Sequence, residues 1–387
     1  MRIKQIVLYE NRRPFAFRFK SPHKDWTGAR SIVMAIGFDN GLFGWGESTP
    51  RPYVTGEDCN SVLSVLKTRT AARLIETELN AGHTARDIRA ITDDVGADSA
   101  SPHIPINAAL GAVDLALLDA LGRLNRMSVA ALLGPPQRSE ITYSTTLLIL
   151  PPEAVKTHFS VVFNYPFGHF KIALSGDPSA DMARIRMLQS LTRYAEYGLE
   201  GNGKLSRQQL ETLLQEMPVE TFTFFEQPLA PSASADLKHI RPKIPIPVVA
   251  DESACCLQDA EGIVDSGLFD RINIKISKCG GLLRSLEMAE FAVANGLSCH
   301  LGTHVGESRI LEAAGVCFAI AAPGLLLMET GSSLLFGQPP LFLPGSVDRQ
   351  SAGNNVDQGP GTAPGLGIEM TPEAAEGLFG PPAAVIK

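Results

Sequence analysis

Eight short apolar runs that alternate with helical patterns constrain the fold of this chain more than any other feature. The runs lie between about residue 140 and residue 330 and read ITYSTTL, HFKIAL, YGLEGN, TFTFFEQ, PVVADES, RINIKIS, LSCHLG and LLLMETG. Segments between them, such as SRQQLETLLQEM and GLLRSLEMAEFAVANG, have the apolar spacing of amphipathic helices. Eight strands that alternate with helices over roughly 200 residues predict a (β/α)8 barrel.

The residues before the barrel have a different pattern. VLYENRRPFAFRF and SIVMAIGFDNGLFGWGES alternate as strands do, and Asp39-Asn40-Gly41 supplies a hairpin turn. Helical segments follow, of which INAALGAVDLALLDALGRL is strongly apolar, so this part is predicted to be a separate α+β domain. The Pro- and Gly-rich segment from Gly337 is expected to return to it, with PGLGIEM as a late strand. We therefore divide the chain into an N-terminal capping domain (1–125), a barrel domain (126–336) and a returning C-terminal segment (337–387).

Composition excludes several classes of function. The formal net charge is −7, and no cluster of Lys and Arg of the kind that a nucleic-acid surface needs is present. No apolar run reaches the roughly 20 residues that span a membrane. The N-terminal segment MRIKQIVLYENRRPF is charged too early for a signal peptide. The sequence therefore predicts a cytoplasmic protein that binds neither nucleic acid nor a membrane.

One polar residue stands near the end of seven of the eight apolar runs. The seven are Lys171, Glu200, Glu226, Asp251, Lys275, His300 and Glu329, and successive members are 24 to 29 residues apart. That spacing matches one β/α unit, and the C-terminal ends of barrel strands meet at one mouth. A single charge after a strand often only begins a solvated loop. Seven in phase favour a shared pocket.

The residue types in this pocket indicate a metal and a base. Glu200, Glu226 and Asp251 are three carboxylates on successive strands, and without a cation they would raise one another's pKa. Oxygen ligands suit Mg²⁺, with Mn²⁺ as the alternative. A lysine that is sheltered from water beside a dication can act as a base near neutral pH. The predicted reaction removes a proton next to the carboxylate of a small carboxylic acid, and the metal and lysine stabilise the resulting enediolate.

These residues resemble a known family. FKIALSGDPSAD, LEGNGKLS, FFEQPL, VADES and IKISKCGG are similar to the muconate-lactonizing-enzyme (muconate cycloisomerase) branch of the enolase superfamily. GWGESTPRPYVTGED resembles the capping-domain loop of these enzymes, and AALGAVDLALLDALGRL resembles their linker helix. The resemblance covers nearly the whole chain. It implies a capped barrel that forms a homo-oligomer, with loops near Ser21–Arg30 and Arg51–Glu57 that select the substrate.

The resemblance also implies roles for individual residues. Lys275 matches the general acid/base, and Lys171 matches the first lysine of a Lys-x-Lys pair, which assists charge at the substrate carboxylate. The remaining matches are Glu226 and Asp251 (second and third metal ligands), Asn202 and Glu329 (substrate binding), and Glu252, which follows the third ligand. Lys278 and His304 are expected in loops or behind the residues that contact the substrate.

The sequence departs from the family pattern at two positions. Ala173 stands where the second lysine of Lys-x-Lys is expected, and residues 171 and 173 point to the same side of a strand. Glu200 replaces the aspartate that serves as first metal ligand, which lengthens the side chain by one methylene. His300 matches the position of the base in the mandelate-racemase branch, but Lys275 replaces its usual aspartate partner. A hydrogen-bonding role for His300 is therefore favoured.

These departures leave three functional hypotheses. The leading one is a Mg²⁺-dependent isomerase of the cycloisomerase kind that works from the face of Lys275. Racemases and dipeptide epimerases are disfavoured, because two-base chemistry needs the lysine that Ala173 replaces. A dehydratase of acid sugars or hydroxy acids is the second hypothesis, and an impaired member that only binds a metabolite is the third.

Overall fold

The structure is a computed structural model that describes residues 1–21, 23, 25–97, 106–150, 161–162, 164–191, 195–343 and 359–387. Its first part contains five strands: β1 (Ile3–Asn11), β2 (Pro14–Lys20), β3 (Asp25–Gly28), β4 (Ser31–Phe38) and β5 (Phe43–Ser48). β1, β4 and β5 form one antiparallel sheet, and β2 pairs with β3 in a separate hairpin. The predicted turn joins β4 to β5, with Gly41 at a φ of +84°. Every residue of β4 is buried, which explains its almost wholly apolar sequence.

Helices cover one face of this sheet. A helical segment runs through Cys59–Val65, a π-helical turn Leu66–Thr70 and Ala71–Leu74, and a further helix spans Ala85–Ala97. The linker helix, Asn107–Asn125, lies directly on β5. A Cβ atom at Gly46 would stand 2.0 Å from the carbonyl oxygen of Ala112. Glycine at this position therefore lets the two backbones touch.

All eight predicted barrel strands are present and parallel, and they close in chain order. They are β6 (Tyr143–Leu147), β7 (His169–Ala173), β8 (Glu196–Glu200), β9 (Phe225–Glu226), β10 (Val248–Ala250), β11 (Arg271–Ile274), β12 (Ser298–Leu301) and β13 (Leu325–Glu329). β13 pairs with β6 and completes the ring. The (β/α)8 barrel is thus confirmed.

Helices flank the barrel strands. Their bounds are Val129–Leu133, Pro178–Leu191, Arg207–Glu216, Ser234–Ile240, Leu257–Ser266, Ile276–Cys279, Leu282–Ala294 and Arg309–Ala321. Short 3-10 turns occur at Val219–Thr221, Pro231–Ala233, Arg241–Lys243 and Ser332–Phe336. Ser206 caps the third of these helices by accepting a hydrogen bond from the backbone N–H of Gln209. No helix in the described part of the chain is both long enough and apolar enough to cross a membrane.

The C-terminal segment returns to the capping domain and completes its sheet. The helix Pro372–Phe379 leads to β14 (Ala384–Ile386), which pairs antiparallel with β1. The prediction of a strand at PGLGIEM is wrong, because Gly365 and Gly367 have φ values of +68° and +73°, outside the extended region. This segment forms turns, and only Gly365 bridges to Ser128.

The close approach of β5 to the linker helix gives a test of packing. We expect Gly46→Ala to lower the free energy of unfolding by about 3 kcal/mol, because its methyl group would collide with the Ala112 carbonyl. Gly262→Ala is the matched control. Gly262 is an exposed helical position with open space where a Cβ would be added, so this change should raise the free energy of unfolding by about 0.5–1 kcal/mol. Urea unfolding midpoints measure both. Equal midpoints for the two variants would contradict the contact.

Candidate active site

The C-terminal ends of the barrel strands surround a cavity of about 110 Å³ that the capping domain helps to close. The polar residues in its lining include Lys171, Glu200, Asn202, Glu252, Lys275, His304 and Glu329. Its apolar lining includes Phe19, Val54, Leu148, Ile149, Val162, Leu334 and Leu335. Both capping loops proposed from the sequence contribute, the first through Ser21 and the second through Tyr53 and Val54. Pro22 and Lys24 of the first loop lie outside the described residues.

Three carboxylates converge beside this cavity. Glu200 and Glu226 end β8 and β9, and Asp251 directly follows β10. One oxygen from each lies within 4.8 Å of the others, and all three residues are buried. The additional methylene of Glu200 therefore does not remove its carboxylate from the group.

Lys171 balances part of this charge. Its Nζ lies 2.8 Å from Glu226 Oε1, 3.0 Å from Glu200 Oε1 and 3.2 Å from Glu329 Oε2. Burial lowers the pKa of Lys171, but these carboxylates outweigh that effect and hold the pKa well above its ordinary value. Lys171 is therefore a fixed positive charge in this arrangement.

Two further lysines hold Asp251. Lys275 Nζ lies 2.6 Å from Asp251 Oδ2, and Lys278 Nζ lies 2.8 Å from Oδ1. Lys278 is fully buried and also donates to the backbone carbonyls of Asp251 and Asn273. Burial raises the pKa of Asp251, yet the lysines outweigh it and the net pKa is depressed. Lys278 thus lies behind Asp251, outside the cavity lining, and fixes its orientation.

Glu226 is in a less favourable position than Asp251. Burial raises its pKa to about 7; Lys171 opposes this shift, and Glu200 and Asp251 add to it. The carboxylates are thus not fully compensated by the lysines. Three buried, converging oxygen donors with a negative charge to spare fit a hard divalent cation such as Mg²⁺.

Lys275 and Ala173 lie on opposite sides of the cavity. β7 and β11 are four strands apart in either direction around the eight-stranded barrel, so they face each other across it. Lys275 directly follows β11, whereas Ala173 ends β7 and lines the cavity. A lysine at position 173 would therefore have faced Lys275.

Asn202, Glu252 and Glu329 also line the cavity. Asn202 has a φ of +52°, and its buried Nδ2 has no hydrogen-bond partner among the described residues. Burial, reinforced by Asp251, raises the pKa of Glu252 to about 8. Glu329 accepts hydrogen bonds from Thr146 Oγ1 and from Lys171. The lysines depress its pKa although burial alone would raise it.

His300 belongs to the predicted series, but it neither lines this cavity nor joins the three converging carboxylates. It pairs in register with Asn273, two residues before Lys275, so it lies one layer deeper in the barrel. Its ring packs edge-on against Phe224, and its Nε2 lies 3.2 Å from Arg271 Nη1. Burial, together with Arg271, places its pKa well below the ordinary value. A neutral histidine in this position makes internal contacts.

Sequence reasoning missed two residues that support the site. Asn273 Nδ2 donates to Glu226 Oε1 at 2.8 Å, and Gln227 Oε1 accepts from the backbone N–H of Asp251 at 2.9 Å. Gln227 has a φ of +32°, a strained value for a non-glycine residue. Asn273 could have been found, since it lies two residues before Lys275 and so on the same face of β11. His304, which the sequence placed in a loop or behind the residues that contact the substrate, lines the cavity itself.

The contacts of Lys171 give a test of metal binding. We expect Lys171→Met to lower the free energy of unfolding by about 3 kcal/mol in EDTA, because buried carboxylates lose their counter-ion. Millimolar MgCl2 should recover much of this loss by binding those carboxylates. Urea unfolding with and without Mg²⁺ measures both effects.

Lys4→Met is the control for that substitution. Lys4 pairs with Glu76 at an exposed site, so its replacement should change stability by less than about 0.5 kcal/mol. A Lys171→Met protein that gains no stability from Mg²⁺ would contradict a cation site at the triad.

Known proteins share this architecture. N-succinyl-L-Arg/Lys racemase of Bacillus cereus is 26% identical over 339 residues, which cover 87% of this chain and 89% of that protein. Its solved structure matches with a TM-score of 0.85 at 23% identity, covering 100% of both chains. Muconate cycloisomerase 1 of Rhodococcus opacus is 28% identical over 374 residues, 92% of this chain and 93% of that protein. A dipeptide epimerase of Enterococcus faecalis, solved with Mg and the dipeptide L-Leu-L-Tyr, matches with a TM-score of 0.80 at 24% identity, covering 96% and 100%.

Two family models together cover most of the chain. The mandelate racemase / muconate lactonizing enzyme N-terminal domain matches residues 3–134. The model described as enolase C-terminal domain-like matches residues 155–374, more than half of the sequence. This chain therefore belongs to the enolase superfamily, in the group of mandelate racemase and muconate lactonizing enzyme.

Proposed function

We propose that this protein is a Mg²⁺-dependent isomerase that removes or delivers a proton next to the carboxylate of a small carboxylic acid, with Lys275 as the acid/base. The observation that carries the proposal is the convergence of Glu200, Glu226 and Asp251 beside a cavity that Lys275 also lines. The family supports this class, since its named relatives include racemases, epimerases and a muconate cycloisomerase.

Each residue has a distinct role in this proposal. Bound Mg²⁺ would supply positive charge that stabilises an enediolate. Lys171 adds a second, fixed positive charge near the substrate carboxylate. Lys275 Nζ exchanges the proton at the α-carbon. Burial alone would lower the pKa of Lys275. The pairing of Lys275 with Asp251 outweighs burial and raises this pKa above its ordinary value. A cation held by Asp251 would compete with Lys275 for this carboxylate, and the pKa of the amine would then fall toward the range of a base.

Ala173 restricts the reaction to one face of the substrate. Racemisation by two bases takes a proton from one face and returns it to the other. The methyl group of Ala173 can do neither, although several relatives are named as racemases or epimerases. A cycloisomerisation needs proton transfer on one face only, and it is the reaction that we favour here.

The apolar lining suggests the form of the substrate. Phe19, Leu148, Ile149, Leu334 and Leu335 would favour an uncharged hydrocarbon part beyond the carboxylate. We therefore propose carboxylic acids with an apolar substituent as the first compounds to examine.

Proton exchange tests the reaction. The protein is incubated with Mg²⁺ and a panel of carboxylic acids in D2O, and NMR measures deuterium at the α-carbon. We expect exchange for at least one acid, and we expect Lys275→Ala to reduce its rate at least about 10³-fold, as loss of an essential base does. Lys4→Met, at an exposed pair outside the cavity lining, should exchange at the wild-type rate.

The products separate the remaining hypotheses. A new ring indicates cycloisomerisation, and loss of water indicates a dehydratase. Tight binding of an acid with no exchange in any compound would show a metabolite-binding protein and would overturn the proposal.

Position 173 gives an independent test of one-face chemistry. For an acid that exchanges in the wild type, we expect the configuration at the α-carbon to be retained, because Lys275 both removes and returns the proton. Ala173→Lys should introduce inversion, since the new amine ends β7 opposite Lys275. Chiral chromatography measures the two enantiomers. Rapid racemisation by the wild type would contradict the role given to Ala173.

A further inference from the structure

His304 is a buried histidine in the cavity lining, and the mechanism above does not use it. It follows β12 by three residues, and only 4% of its surface is exposed. Its backbone N–H donates to Glu307 Oε1 at 2.7 Å, and its carbonyl accepts from Ser332 Oγ at 3.4 Å. The ring is therefore attached to a backbone that is held on both sides.

The capping domain fixes the tautomer of this ring. Nδ1 lies 2.9 Å from the carbonyl oxygen of Thr49 and 3.2 Å from its hydroxyl. A carbonyl oxygen can only accept, so Nδ1 carries the hydrogen. Burial, together with the charges of Lys275 and Arg51, holds the pKa of His304 well below its ordinary value and keeps the ring neutral. Nε2 then has a free lone pair and can only accept a hydrogen bond.

No partner for that lone pair exists among the described residues. Nε2 is buried and lacks a hydrogen bond, although buried polar atoms are nearly always paired. The same ring lines the cavity that contains Lys275 and Asn202. A buried acceptor with a fixed tautomer, on a rigid backbone and in the cavity of the proposed active site, is arranged to meet a donor from a ligand.

We propose that His304 Nε2 recognises the substrate by accepting a hydrogen bond from an N–H or O–H group outside the reacting carboxylate. This inference rests on the proposed function, because it places the substrate in the same cavity. It narrows the substrate to carboxylic acids that carry such a donor, for example an N-acylamino acid or a hydroxy acid. An acid without a donor leaves Nε2 unpaired in the complex and loses affinity.

Two pairs of compounds test the donor directly. The first pair is N-acetyl-L-leucine and its ester isostere, the O-acetyl ester of (S)-2-hydroxy-4-methylpentanoate, which replaces the N–H by oxygen. The second pair is 2-hydroxy-4-methylpentanoate and 2-methoxy-4-methylpentanoate. Calorimetry with MgCl2 gives the Kd of each compound. We expect the wild type to bind the donor member of one pair about tenfold more tightly, and which pair shows the effect distinguishes an amide from a hydroxyl.

Two conservative variants assign that selectivity to Nε2. In His304→Asn the side-chain amide can still donate to the Thr49 carbonyl, because asparagine nitrogen matches the position of Nδ1, but the acceptor at Nε2 is gone. We expect its Kd ratio within the pair to fall to about one. In His304→Gln an amide oxygen can take the place of Nε2, so the preference for the donor should be retained. Urea unfolding midpoints check that both variants are folded.

Several outcomes would overturn this proposal. Equal Kd values within both pairs in the wild type, or no binding of any of the four compounds, exclude the donor-bearing substrate. An unchanged Kd ratio in His304→Asn excludes Nε2 as the acceptor. If this variant loses affinity equally for both members of a pair, His304 has a purely structural role. These binding measurements do not depend on turnover, so a failure of the proton-exchange experiment is distinguishable from a failure of this inference.

Discussion

The pairing of buried carboxylates with buried lysines at the mouth of the barrel is the interaction on which the site depends. Asp251 is held by two lysines, and Lys171 contacts Glu200, Glu226 and Glu329. Buried ion pairs of this kind contribute little net stability, because desolvation offsets their attraction. Their main effect is on position: Lys171, Glu200, Glu226, Asp251, Lys275 and Glu329 each lie at the end of a different strand, so the closed barrel fixes the distances between them. The same pairing affects their protonation: it depresses the pKa of Asp251, whereas the pKa of Glu226 is about 7.

The capping domain takes part in this site through specific polar contacts. Glu47, at the end of β5, accepts hydrogen bonds from the backbone N–H and hydroxyl of Ser308. The N–H of Thr49 donates to Ser277 Oγ at 2.8 Å, and its carbonyl orients His304. The glycines of β5 allow this strand to pack closely against the linker helix. The orientation of one residue at the barrel mouth is thus determined by the packing of the other domain.

Much of the fold could be predicted from the sequence, and the reason is periodicity. Each barrel strand is a short apolar run, and segments with the apolar spacing of helices separate most of these runs, so the eight strands were found at their correct places. The prediction at PGLGIEM failed because glycine permits positive φ values that a composition-based pattern cannot show. Spacing along the chain also placed polar residues at strand ends without giving their depth. His300 and Lys275 fall in the same numerical series, but the register of β11 and β12 separates them by one layer. The tautomer of His304 depends on Thr49, 255 residues away, and no local pattern contains that information.

The pairing of β1 with β14 has a consequence for how this protein is made. Val7 of β1 lies opposite Val385 of β14, so about 380 residues are synthesised between one strand of this pair and the other. The barrel strands between them can associate as they leave the ribosome, because each pairs with its neighbour in sequence. The capping sheet gains β14 only after all eight barrel strands have been translated. In a nascent chain, the charged residues of the barrel would therefore come together before the capping sheet is complete. The reactive groups would be assembled first, and their pocket would close later.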